Sequence, residues 1–274
     1  MRPATSARGR TATISTEPQP GAGSPDVIEA LRDGDLEVLG GLVGSTNNAM
    51  VVRVWPAGTH PSAFGRPLEE DDLLGVWKPT IGERPLFDFP IGTLTRREVA
   101  SYLVSEAFGW SIVPPTLLRD GPHGEGMLQL WIDVDPEADV IDLVNGADPR
   151  LRRVAVLDAV LNNTDRKAGH LLPVPEGHLY AVDHGVTFSL DPKLRTVLWH
   201  WAEDPLDADE IAGLERVLAA LGSAGAPGLL AVALRKLLFI DEVDATRERV
   251  EALLAAGVFP VPSPDWPAIP WPPV

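Results

Sequence analysis

Residues 162–185 read NNTDRKAGHLLPVPEGHLYAVDHG, and the fold follows from how this stretch is understood. A helical run from Pro149 to Leu161 feeds a polar loop, Asn162 to His170. After a turn at Pro175–Gly177, a short strand, His178–Val182, ends at Asp183-His184-Gly185. Helix, loop, strand and Asp-x-Gly in that order bring two carboxylates, Asp165 and Asp183, to one edge of a cleft. Transfer of a phosphoryl group from ATP needs a cation on the phosphates, acids or amides on a metal, and a carboxylate that orients or deprotonates the attacking hydroxyl. On that chemistry Asp165 is the catalytic carboxylate, Asp183 holds the metal, and His170 is a second metal ligand. The structural alternative pairs Asp165 with Arg166 in a turn and leaves Asp183 to cap a strand end.

Working outward, the first half alternates β-type runs with one helix. A short helix at Pro25–Arg32 precedes strands at Leu36–Val43 and Ala49–Trp55, joined by the small residues Gly44 to Asn48 as in a hairpin. A third strand, Leu73–Lys78, is closed by Pro79. The spacing of Val99, Tyr102, Leu103 and Ala107 predicts a helix over Thr95–Phe108, stopped by Gly109. Extended runs at Ile112–Leu118 and Met127–Ile132 flank the turn Asp120–Gly124. Residues 204–257 read as mostly helical, with breaks near Gly222–Pro227 and Ile240. The Pro- and Trp-rich end, Val258–Val274, is expected to run extended, pinned by Trp266 and Trp271. The expected division is a disordered tail (1–24), a sheet-bearing lobe (25–135), a helical lobe (136–260) and an extended segment (261–274). This is an α+β class in the layout of a bilobal kinase: an antiparallel-sheet N-lobe and a mainly helical C-lobe.

Composition narrows the partners. The chain of 274 residues carries 39 acidic against 23 basic side chains, a net −16. Residues 1–24 hold three Arg and one Glu, so residues 25–274 carry −18. Such a body repels phosphate backbones and anionic lipid surfaces, which argues against nucleic acid and against a membrane headgroup as partners. There is no cysteine, hence no disulfide and no thiolate nucleophile. No apolar run reaches the ~18–20 residues of a membrane helix, and the N-terminus lacks the apolar core of a secretory signal, so a cytoplasmic location is expected.

Asp165-Arg166 followed at +5 by a metal-ligand side chain, then Asp183-x-Gly185, resembles the catalytic loop and metal-binding motif of phosphatidylinositol 3- and 4-kinases, and in outline that of toxin-type kinases sharing their fold. The chain is more closely similar to an actinobacterial family of phosphatidylinositol 3- and 4-kinase-like proteins. That match lies in Trp77–Leu86, Arg97–Ala100, Asn163–Lys167, Asp183–Gly185 and Lys193–Trp199, and it spans roughly residues 35–205. It departs from the lipid kinases in His170 where they have Asn, in His184 where Phe is usual, and in lacking their long helical and lipid-targeting regions.

The resemblance implies the fold and the use of ATP with Mg²⁺ or Mn²⁺. It makes Lys78 the phosphate-gripping lysine and Glu98 its partner, although Thr95–Glu98 also fits a capping box. Ser45 and Thr46 fall in the phosphate-covering turn, which lacks a Gly-rich motif, and an ordinary hairpin turn fits equally. Gln129 and Trp131 fall where backbone groups contact adenine. Lys167 and Lys193-x-Arg195 supply positive charge beside the catalytic carboxylate, unless they are simply salt-bridged. Glu83-Arg84 reads as an ion pair bridging the lobes. The resulting expectation is a kinase whose acceptor is a hydroxyl of another protein, of its own chain by autophosphorylation, or of a small molecule. A pseudokinase scaffold, an AMP transferase on the same site, and a metal hydrolase built on His170, Asp183 and His184 remain as alternatives.

Overall fold

The computed structural model describes residues 23–42, 47–59, 62, 64–175, 177–223 and 225–274. Residues 1–22 of the expected tail and the phosphate-turn residues Ser45 and Thr46 lie outside them. Five antiparallel strands form one sheet: β1 (Asp35–Gly41), β2 (Met50–Trp55), β3 (Leu74–Pro79), β4 (Thr116–Gly121) and β5 (Gly124–Leu130), in the spatial order β1-β2-β3-β5-β4. Helix α1 (Pro25–Asp33) precedes the sheet, and helix α2 (Leu94–Phe108) is inserted between β3 and β4. The sheet order and that insertion define the N-lobe of a kinase-like fold.

Alternation along β3 sorts its side chains between two faces. Trp77 is fully buried with Val27 and Leu31 of α1, Val52 of β2 and Leu128 of β5. Lys78 therefore points the other way, towards α2. Gly126 makes the close pairing of β5 with β3 possible, since a Cβ there would stand 2.5 Å from the Lys78 carbonyl oxygen. Helix α2 ends at Gly109, whose φ of 72° lies in the left-handed region that glycine occupies without strain.

The second half is helical: α3 (Val140–Asn145), α4 (Leu151–Leu161), α5 (Ala208–Leu221), α6 (Leu229–Leu234) and α7 (Ile240–Ala256). The short pair β6 (Leu171–Pro173) and β7 (Leu179–Ala181) frames the segment that links the two carboxylates. Helix α4 is buried along nearly its whole length in the large core of this C-lobe, which also takes in Phe108 and Trp110 from the end of α2. Asn162 ends α4 in the left-handed conformation, a role Asn fills more readily than other non-glycine residues. Among the described residues no helix is long and apolar enough to cross a membrane.

The C-terminal segment after Phe259 forms no helix or strand, and its anchors are mostly backbone. The Ala268 carbonyl accepts from Thr196 N (3.0 Å) and Trp199 Nε1 (2.9 Å), and the Pro273 carbonyl accepts from Ala168 N (2.9 Å). Trp266 lies 5.2 Å beneath the Lys193 ammonium, whereas Trp271 is 86% exposed and pins nothing.

Candidate active site

Three elements distant in sequence meet at Lys78. Its Nζ donates to Glu98 Oε1 at 2.6 Å and to Asp183 Oδ1 at 3.0 Å, joining β3, α2 and the loop after β7. Glu98 is not spent on a capping box. Helix α2 begins at Leu94, and Glu83 takes the capping part, its Oε1 accepting from Thr95 N (2.8 Å) and Thr95 Oγ1 (2.9 Å). The expected Glu83–Arg84 ion pair is thus replaced by a helix cap, while Arg84 N donates to Asn47 Oδ1. A shallow recess lined by Asn47, Lys78, Thr95, Glu98 and Gly185 opens beside the trio.

Charge in this cluster is mutually supported. Burial pulls the Lys78 ammonium towards its neutral form, but Asp183 and Glu98 more than offset this and its pKa rises. Lys78 in turn holds the Asp183 carboxyl far below the usual range, against burial. Burial pushes Glu98 upward, opposed by Lys78. Asp183 has a φ of 61°, an uncommon conformation for a residue with a Cβ, and its side chain remains 47% exposed. A strained, ionised and half-exposed carboxylate suits contact with a ligand better than it suits packing.

His170 Nε2 stands 3.4 Å from Asp183 Oδ2, and its Nδ1 is enclosed without a hydrogen-bond partner among the described residues. Burial lowers its pKa to about 4, so the imidazole is neutral near pH 7 with a lone pair to offer. Asp165 lies on the same loop, its Oδ2 3.3 Å from Lys167 Nζ; burial pushes its carboxyl up, against the pull of Lys167.

The loop carrying these groups is braced from within. Arg166 and Asp158 are both fully buried and pair through Arg166 Nη2 at 2.9 Å and Arg166 Nε at 2.9 and 3.2 Å. Arg166 Nη1 donates to the Val182 carbonyl (2.8 Å), and Nη2 also reaches His184 Nε2 (2.6 Å), which places that ring's proton on Nδ1. Asn163 Nδ2 donates to Asp158 Oδ1, and Asn163 Oδ1 accepts from Asp165 N. Asn162 donates to the Ser189 and Asp191 carbonyls and accepts from Lys193 N. Arg166 therefore pairs with Asp158, and the turn pairing of Asp165 with Arg166 does not form.

Of the remaining expected residues, Gln129 is buried in the sheet, donating to Thr116 Oγ1 at 2.8 Å. Trp131 N donates to the Leu74 carbonyl and its indole to Asp133 Oδ1, so its N–H is already engaged. Lys193 is salt-bridged to Asp88 (3.1 Å) and Asp191 (3.5 Å), which withdraws it from the cleft. Asp158, Asn162 and Asn163 carry the loop's architecture. The Asn pair stands out in the sequence, but Asp158 is hidden in an apolar helix face.

Both buried imidazoles tie stability to pH. His184 is also held well below its usual value, by burial first and then by Arg166. The unfolded chain binds protons near pH 6.5 that the folded chain refuses until about pH 4 at His170. The imidazoles' contribution to stability is therefore complete above pH 6.5 and declines as pH falls towards 4, by at most ~1.4 kcal/mol per pH unit for each within its window. Urea midpoints of the metal-free protein between pH 7.5 and 4.5 should fall, and the slope should flatten in His170→Asn. An unchanged slope would place the titration elsewhere.

No protein-family model matches the chain. Protein Rv2133c of Mycobacterium tuberculosis (strain ATCC 25618 / H37Rv) is 39% identical, covering 90% of this chain and 95% of that protein. Phosphatidylinositol 4-kinase gamma 4 of Oryza sativa subsp. japonica is 30% identical over 53% of this chain but only 30% of its own length. Among solved structures, the Helicobacter pylori proinflammatory kinase CtkA matches over 81% of this chain and 97% of its own, at 12% identity and a TM-score of 0.42. The Rio2 kinase of Chaetomium thermophilum, in complex with ADP/Mg²⁺ and phosphoaspartate, gives 12% identity and a TM-score of 0.33 over 81% of this chain and 70% of its own. At these scores the assignment of the fold rests on the sheet order and the placement of α2.

Proposed function

The chain belongs to the family of Protein Rv2133c from Mycobacterium tuberculosis, and we propose that this family member is an ATP- and divalent-cation-dependent phosphotransferase acting on a hydroxyl group. The observation that carries the reading is the Lys78–Glu98–Asp183 cluster, assembled across separations of 20 and 105 residues. Lys78, fixed by Glu98, grips the α- and β-phosphates. Asp183 and His170 would hold the cation, which would supply positive charge against the phosphates when bound. Among the described residues no set of three His, Asp or Glu side chains gathers as a metal site on its own. Two protein ligands fit Mg²⁺ or Mn²⁺ arriving with a nucleotide, whose phosphates supply the rest of the shell. They do not fit a resident hydrolytic metal.

Asp165, raised by burial yet tethered to Lys167, orients the acceptor hydroxyl and takes its proton. With the Trp131 N–H engaged, a backbone contact from that residue to adenine falls to its carbonyl. The rice relative is named a lipid kinase. The −18 charge of residues 25–274 favours a protein or small-molecule acceptor over an anionic lipid. On this reading the lobes divide near residue 135 and the nucleotide sits beside Lys78, Glu98 and Asp183.

The test is melting temperature with ATP, with and without Mg²⁺ or Mn²⁺, followed by intact mass after incubation. A metal-dependent rise with an added phosphate supports an active kinase, while an added AMP converts the reading to nucleotidyl transfer. A rise without mass change calls for candidate acceptors, and their failure would leave a nucleotide-binding pseudokinase. No rise with any nucleotide overturns the proposal. In Asp165→Asn the metal-dependent rise should persist while transfer drops by about 10²–10⁴-fold.

A further inference from the structure

The residue before Glu98 does something the phosphotransfer reading has not used. Arg97 is almost fully buried, and each guanidinium nitrogen has a partner: on α7, on the turn after Asp183, and at the start of α2 itself. Nη2 pairs with Glu242 Oε1 of α7 at 2.5 Å, Nη1 donates to the Thr187 carbonyl at 2.6 Å, and Nε donates to Thr93 Oγ1 at 3.3 Å. The Phe89 ring lies 4.9 Å from the guanidinium carbon. Glu242 is itself fixed, because its Oε2 accepts from Phe239 N at 2.9 Å and caps the start of α7.

Consecutive residues of a helix point about 100° apart, and here both directions end on the same short turn. Glu98 Oε2 accepts from His184 N at 2.8 Å, at the start of the turn that follows Asp183. Arg97 takes the Thr187 carbonyl at its other end, and Thr187 Oγ1 closes the turn by donating to the His184 carbonyl at 2.7 Å. Helix α2 thus grips residues 184–187 at both ends while holding Lys78, and Glu242 fastens that grip to the C-lobe.

We infer that Arg97 and Glu242 are positioning residues that couple helix α7 to the Lys78–Glu98–Asp183 cluster and keep α2 docked on it. The coupling stands on geometry alone; its consequence for turnover rests on the phosphotransfer reading.

A single truncation would leave a buried charge unpaired and confound folding with positioning. The primary variant is therefore the double Arg97→Met/Glu242→Met, in which apolar side chains of similar volume replace the pair, an exchange that is often neutral for stability. The second is Glu242→Gln, whose single amide oxygen can still accept from Phe239 N and keep the α7 cap while the charge opposite Arg97 is lost. The readout needs no nucleotide: the rate at which the Lys78 amine of the apo protein is acylated by the N-hydroxysuccinimide ester of acetic acid, followed by peptide mass spectrometry. With α2 released, Lys78 loses its fixed carboxylates, and acylation should accelerate about tenfold in a folded variant. In the active enzyme the same variants should lower kcat and raise KM for ATP, and a purely structural role would move only the melting temperature. A wild-type acylation rate in whichever variant folds overturns the inference. If the wild type binds no nucleotide and transfers nothing while acylation still responds, the kinase reading fails and the coupling stands.

Discussion

Asp183→Asn should abolish the metal-dependent part of ATP stabilisation while leaving the apo protein folded. The substitution is nearly isosteric, and the side chain is half exposed, so packing changes little. Lys78 keeps Glu98 at 2.6 Å and does not become an unpaired buried cation. What disappears is the anionic oxygen next to His170 Nε2, and a neutral amide is a poor substitute for a hard divalent ion. At a hundredfold excess of ATP over its Kd, a native-state ligand contributes about 2.7 kcal/mol, and this is the scale of the expected loss. Melting curves of wild type and variant, with ATP alone and with ATP plus Mg²⁺, measure it directly. A variant that keeps the metal-dependent rise would show that Asp183 does not hold the cation.

The largest effect on stability is expected from Arg166→Met. Asp158 and Arg166 are both completely enclosed, and removing the guanidinium leaves the Asp158 carboxylate with a single side-chain donor, Asn163 Nδ2. Breaking a buried pair from one side costs about 3–5 kcal/mol. His184 Nε2 and the Val182 carbonyl lose their donor in the same step. Urea unfolding should show the drop, and a second change, Asp158→Leu, should recover much of it by removing the stranded charge. The recovered double variant should still be poor at transfer, because the loop between Asn163 and Asp165 has lost its central brace. If Arg166→Met alone unfolds within ~1 kcal/mol of wild type, the pair does not contribute as the geometry implies.

How much of this could be read from the sequence depended on how local the cause was. The strands β2 and β3, the hairpin of β4 with β5, the stop at Gly109 and the Asp-x-Gly loop are each written in a few adjacent residues, and each lies within a few positions of its expected place. Helix α3 and the three-residue β6 were not legible, since neither is long enough to display a period and β6 contains Pro173. Helix α2 shows how a helix can be recognised while the roles of its polar residues stay open. Its apolar stripe was readable, but Thr95, Arg97, Glu98, Ser101 and Ser105 are buried as well, because the sheet and the C-lobe enclose it on several sides. Glu98 offered two readings, a cap or a partner for Lys78, and the choice between them was made by Glu83, fifteen residues upstream. Arg97 with Glu242, 145 residues apart, has no signature that a local pattern could carry.

The extended segment after α7 has a consequence for timing. Ala168, in the turn that carries His170, finds its backbone acceptor at Pro273, and Thr196 finds its own at Ala268. Chains are synthesised from the N-terminus at ~5–20 residues per second, so the loop emerges from the ribosome well before the carbonyls that hold it. A nascent chain that already displays Asp165 and Asp183 still lacks these last hydrogen bonds. The loop from Asn162 to His170 is fastened only after nearly everything else in the two lobes has been made.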